Sequence, residues 1–96
     1  MERIRQSELE YLVKRINELT HSPLTPYIQE GGKFTANIGN YHLDYAYGGV
    51  KLVRMVGEGG GITEASEGGY GTKRELYYWM RAYIAGYCEA PVAVNT

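Results

Sequence analysis

The chain has 96 residues, 44% of them hydrophobic and 22% charged, with a formal net charge of −1 and a pI near 6.1. That is enough chain for one folded domain and too little for two. The charge balance excludes coating of nucleic acid or anionic membrane by bulk electrostatics, and the single cysteine, Cys88, excludes an internal disulfide and a thiolate zinc site.

A lone thiol fits a reducing compartment. No apolar run approaches the roughly 20 residues that span a bilayer. Met1 to Gln6 lacks the apolar core of a signal peptide. Together these predict a cytoplasmic protein. Tyrosine is the unusual component, with 10 residues against one Phe and one Trp. An apolar plate with a polar edge suits half-buried strands and contact surfaces.

The first element is a helix. Ser7 and Glu10 have capping-box spacing, and Leu9, Leu12, Val13, Ile16 and Leu19 recur at three- and four-residue steps to form one apolar stripe. The segment Thr20-His21-Ser22-Pro23 ends it, because proline cannot continue a helix and restricts the residue before it.

An antiparallel sheet follows. Phe34 to Ile38 alternates apolar and polar residues, and Gly39-Asn40 is a turn pair. Tyr41 to Tyr47 alternates again, with Tyr41, Leu43, Tyr45 and Tyr47 on one face and His42, Asp44 and Ala46 on the other. Gly48-Gly49 reads as a two-residue hairpin turn leading into a strand from Val50 to Val56. A fourth strand is expected at Tyr27 to Gln29. Residues 57–71, rich in Gly and Glu, read as one long loop.

Thr72 and Glu75 form a second capping box, and Leu76, Met80, Tyr83 and Ile84 give the stripe of a closing helix that Gly86 is expected to terminate. The predicted fold is therefore a single α+β domain over residues 1–87. It has two layers, helix, three- or four-stranded antiparallel sheet, helix, with a loose tail over 88–96.

Chemistry-bearing patterns are sparse. Gly57 to Thr63 lacks the Lys-Ser/Thr pair of a nucleotide-binding loop and reads as flexible chain. Ser7 belongs to a cap, and Cys88 has no histidine near it in sequence. His42 and Asp44 lie two apart on a strand and so share a face. Asp44 is the only aspartate and sits where strand propensity disfavours it. Two such groups do not make a metal site, and a solvent-facing pair with Asp44 balanced by Lys51 or Arg54 is the plain reading. A lesser alternative is a small hydrolase built on His42, Asp44 and a loop glutamate. Tyrosines on a sheet beside Lys51, Arg54, Lys73 and Arg74 also allow a nucleic-acid-binding module. The element order is that of double-stranded-RNA-binding domains, but the acidic loop falls where those domains are basic.

The runs Ala36-Asn37-Ile38-Gly39-Asn40-Tyr41-His42-Leu43, Ala46-Tyr47-Gly48-Gly49, Leu52-Val53-Arg54-Met55, Glu58-Gly59-Gly60-Gly61 and Thr72-Lys73-Arg74-Glu75-Leu76 resemble small uncharacterised proteins of tailed phages and prophages. The likeness covers most of the chain. It implies a host-cytoplasm setting and a non-catalytic accessory protein, one that captures a host defence or regulatory protein or a small nucleotide-like signal. It carries over no catalytic residue, metal or cofactor. Tyr41, His42, Asp44, Tyr45, Tyr47 and Arg54 are the candidate contact residues. A homo-oligomer is expected, since a short sheet has edges to cover.

Overall fold

The computed structural model describes residues 3–89. Helix α1 spans Gln6–Leu19 and helix α2 spans Lys73–Glu89. Between them lie strands β1 (Tyr27–Glu30), β2 (Lys33–Ala36), β3 (Tyr41–Ala46), β4 (Gly49–Met55) and β5 (Ile62–Glu64). The α+β class holds, but the strands divide into two antiparallel sheets, a β1-β2 ribbon and a three-stranded sheet in the order β3-β4-β5.

The division corrects the single-sheet expectation. The chain between β2 and β3 turns at Gly39, whose φ of 100° belongs to glycine. The buried Asn40 side chain then donates to the Pro23 carbonyl at 2.8 Å. That anchor separates the ribbon from the sheet. The third strand of the main sheet comes instead from the segment read as one loop. A tight turn, with Val56 N–H on the Gly61 carbonyl at 2.9 Å, brings Ile62-Thr63-Glu64 back against Val53 to Met55. Three residues are too few to show an alternating pattern.

Helix α1 begins two residues earlier than its sequence signature. Arg5 is the N-cap and its N–H donates to the Glu8 carboxylate at 2.8 Å, so Ser7 lies inside the helix. The helix ends in a Schellman arrangement: Ser22 N–H donates to the Asn17 carbonyl at 2.8 Å and His21 N–H to that of Glu18 at 3.3 Å. His21 occupies the left-handed position, φ 57°, where glycine is usual. At α2 the Thr72–Glu75 box forms as its spacing predicts. Glu75 N–H reaches the Thr72 hydroxyl at 3.0 Å, and Thr72 N–H reaches the Glu75 carboxylate at 2.9 Å. Those bonds hold the Glu75 carboxyl below its ordinary pKa. Gly86 does not end this helix, which continues through Cys88 to Glu89. Cys88 and Glu89, expected to begin a loose tail over 88–96, belong to the helix instead, and the rest of that tail lies outside the described residues.

The core forms where α1 and α2 meet one face of the main sheet. Leu9, Leu12 and Ile16 of α1 and Leu76 and Met80 of α2 pack on Tyr41, Val50 and Leu52. Each fully buried aliphatic chain contributes roughly 1.5–3 kcal/mol. The opposite face is not simply wet. Val53 and Met55 point to it and are almost wholly buried, outside the helix-side cluster.

The β3–β4 hairpin pairs Ala46 with Gly49, which makes Tyr47-Gly48 the two central turn residues rather than Gly48-Gly49. Both have positive φ, 55° and 74°, as a type I′ turn requires. Tyr47 is thus not a strand residue; it stands 94% exposed at the hairpin tip. Gly49 is needed elsewhere. A side-chain carbon there would lie 2.9 Å from the Gly71 carbonyl oxygen, where the chain re-crosses to bridge Val50.

Asn17 ties α1 to β3. Its amide donates to the Tyr41 carbonyl at 3.0 Å and accepts from Tyr41 N–H at 2.8 Å, with Asn17 about 1% exposed. Asn17→Leu is expected to cost about 2–4 kcal/mol in urea unfolding, because it leaves a buried N–H and C=O unpaired. Tyr47→Asn is expected to raise stability by about 0.5–1 kcal/mol in the same measurement, because asparagine tolerates the left-handed turn position.

Candidate functional site

In an antiparallel strand, alternate residues direct both backbone groups to the same side. Asn40 O accepts from Met55 N–H at 2.8 Å, on the β4 side. Tyr41, Leu43 and Tyr45 therefore point theirs away from β4, across the outer edge of the sheet. The Asn17 amide occupies the Tyr41 pair. Those of Leu43 and Tyr45 face a groove.

The groove has a volume of about 320 Å³ and runs between α1 and the edge of β3. Helix α1 is fixed along that edge at two points: Asn17 holds Tyr41, and Gln6 accepts from the Tyr45 hydroxyl. Gln6 is itself oriented by donating to the Glu10 carboxylate at 2.7 Å. Between the ties, Val13 and Leu43 give an apolar floor, Glu10 and Lys14 form a charged wall, and Leu24 and Pro26 close one end. Tyr41, His42 and Tyr45, three of the six nominated contact residues, line it.

His42 has a defined tautomer. Asn40 uses its amide nitrogen on the Pro23 carbonyl, so its Oδ1 faces His42 Nδ1 at 3.1 Å. Nδ1 must then donate, and Nε2 keeps its lone pair. Burial lowers the imidazole pKa below 6.5, against the opposing pull of Asp44, and keeps the ring neutral at physiological pH.

Asp44 and Tyr47 belong to a second cluster on the opposite face. Asp44 stands across from Lys51 in the register but is not its ion-pair partner. It accepts from the Tyr70 hydroxyl at 2.5 Å, while Lys51 sits 3.6 Å from Glu64 and 4.4 Å above the Tyr70 ring. Tyr47 meets Tyr70 edge-on at 5.5 Å. Glu64 also accepts from Gly69 N–H at 2.8 Å, which holds the 65–71 segment over this face. Tyr70 was not read from the sequence as part of any site.

Arg54 lies on the helix face, opposite Tyr41 in the register. Its guanidinium is 5.0 Å from the Tyr41 ring centre, and its Nε donates to the Gly39 carbonyl at 3.3 Å. Nearby, Trp79, Tyr83 and Tyr87 stack one helical turn apart at 5.4 and 6.4 Å. The six candidate contact residues therefore do not form one site. Tyr41, His42 and Tyr45 meet at the groove, Asp44 and Tyr47 at Tyr70, and Arg54 lies exposed beside the Tyr41 ring. The nominated cations are dispersed as well. Lys51 and Arg54, three apart on one strand, point to opposite faces, and Lys73 and Arg74 open α2.

Among the described residues no group of three or more His, Cys, Asp or Glu side chains could hold a metal ion, and no helix is long and apolar enough to cross a membrane. No family model matches the chain, and no curated protein or solved structure matches it.

Two tyrosines have pKa values raised from 10 to about 12. Tyr70 is raised first by its bond to Asp44, and Tyr83 first by burial and then by its bond with Tyr41. A pKa raised in the folded state stabilises the fold below pH 10, and that contribution is lost as pH climbs through about 12. Phenolate absorbance is expected to show Tyr70 and Tyr83 ionising late in the wild type, with Tyr45 also raised, first by burial. Asp44→Asn is expected to move the Tyr70 step back toward 10 and leave that of Tyr83 in place.

Proposed function

We propose that the chain is a non-catalytic binding protein that captures its partner stoichiometrically at the groove between α1 and β3. One observation carries this: the backbone donors and acceptors of Leu43 and Tyr45 face a groove of about 320 Å³ with a partly apolar lining. His42 and Asp44 are engaged by Asn40 and Tyr70, which favours binding over turnover. The likeness to small phage proteins supports a host defence or regulatory protein as the partner, with a small nucleotide-like ligand as the other occupant.

Leu24 lines the groove and is 57% exposed, so it can be changed without disturbing the core. Immobilised wild-type protein is expected to retain one host species at stoichiometric level. Leu24→Glu is expected to weaken capture at least about tenfold. Tyr78→Ala, on an exposed part of α2, is expected to retain it in full. Equal capture by wild type and Leu24→Glu, or nothing retained, overturns the reading.

A further inference from the structure

The open edge of β3 presents a short and defined set of backbone groups. Tyr41 is closed off by Asn17, and beyond Tyr45 the chain pairs inward at Ala46 and turns at Tyr47. Four groups remain: N–H and C=O of Leu43, and N–H and C=O of Tyr45. Among the described residues no hydrogen bond engages them, since the ladder to β4 uses the groups of His42, Asp44 and Ala46. In the antiparallel pattern these match two alternate residues of an incoming strand, each exchanging two bonds.

Side-chain requirements follow from the pleat. Incoming residues opposite Leu43 and Tyr45 share their face and point into the groove against Val13 and Leu24. The residue between them stands directly opposite Asp44, on its face, at roughly 4.5–5.5 Å between Cβ atoms. A cation is favoured there and an acid is disfavoured.

The same geometry disfavours a second copy of β3. A two-fold axis through residue 44 sets Asp44 against Asp44. An axis through residue 43 requires the Tyr41 groups that Asn17 already holds. An axis through residue 45 leaves a single bonded pair and places the left-handed Tyr47 opposite Leu43. The chain's own residues 90–96 contain no Lys or Arg to meet Asp44.

We propose that β3 takes an extended peptide of a partner protein as an added antiparallel strand, recognised by a basic residue between two apolar ones. This rests on the binding reading above and names its mode.

The probe is a fluorescein-labelled Thr-Val-Lys-Val-Thr peptide, with its affinity read by polarisation and its site by amide chemical shifts. Binding is expected to shift the Leu43 and Tyr45 amides. N-methylation of either valine is expected to weaken binding at least about tenfold, since each valine N–H faces β3. N-methylation of the lysine is expected to leave it unchanged, since that N–H points outward. Asp44→Lys is expected to reverse the preference between the lysine peptide and its glutamate counterpart. Equal loss on methylating valine or lysine, or no binding at millimolar peptide, overturns strand addition. If Leu24→Glu still abolishes capture of the host species while those peptides fail, the groove binds in another mode. If neither responds, the binding reading falls with it.

Discussion

The Asn17 amide does for β3 what another strand would do. It supplies one acceptor and one donor at the spacing of a backbone pair and closes the sheet edge at Tyr41 from a helix. Because the bonds are made from within the apolar stripe of α1, the same residue sets helix height and rotation. Leu9, Leu12 and Ile16 then fall over Tyr41 and Leu52, and α2 fills the remaining side. The Tyr45–Gln6 bond repeats the tie near the other end. A helix that packs on one face of the sheet and is also pinned at two points along its edge leaves a channel between them. Core and groove are consequences of one placement.

Much of this fold is written locally. The helices are legible because three- and four-residue spacing survives in Leu9 to Leu19 and Leu76 to Ile84, and because Thr72 and Glu75 carry a complete reciprocal cap. The β3–β4 pairing is legible because alternation runs through both strands. The turn between them is not, because two adjacent glycines invite the same assignment. What decides is distant: Gly71 approaches Gly49 too closely for any side chain, so Gly49 serves the crossing and Tyr47 takes the strained turn position. His21 likewise fills a left-handed helix end that glycine ordinarily marks. The main sheet gains β5 from a segment whose composition reads as slack, because Gly57 to Gly61 folds into a compact turn and not a tether.

The candidate residues were legible in kind and not in grouping. Strict alternation already separates Tyr41 and Tyr45 from His42 and Asp44. A single site drawing on both sets would need side chains from both faces of the strand. The groove reunites His42 with the tyrosines because it opens at the strand edge, where both faces are accessible. Asp44 found an unexpected partner for a related reason. The register offers Lys51, but Glu64 of β5 and the ring of Tyr70 engage that ammonium, and Tyr70 supplies the hydroxyl. Neither Tyr70 nor Gln6 carries a local mark of its role. Asn17 does carry one: an amide four residues after Val13, beside Ile16 in the apolar stripe, is a polar group at a core position, and such a group needs a partner.

An exposed sheet edge is a hazard, since its unpaired groups template pairing with any extended chain. Proteins blunt such edges with charge, short length or cover, and β3 has all three. Asn17 covers one end, the left-handed turn shortens the other, and Asp44 charges the middle. Two residues remain open, too few to hold an unselected strand by backbone bonds alone in water, where each bond nets about 0.5–1.5 kcal/mol. Useful affinity then depends on side chains that fill the groove and neutralise Asp44. The devices that protect the edge are therefore the same ones that give it selectivity, and an aspartate in a strand, poor for propensity, is explained by what it keeps away as much as by what it admits.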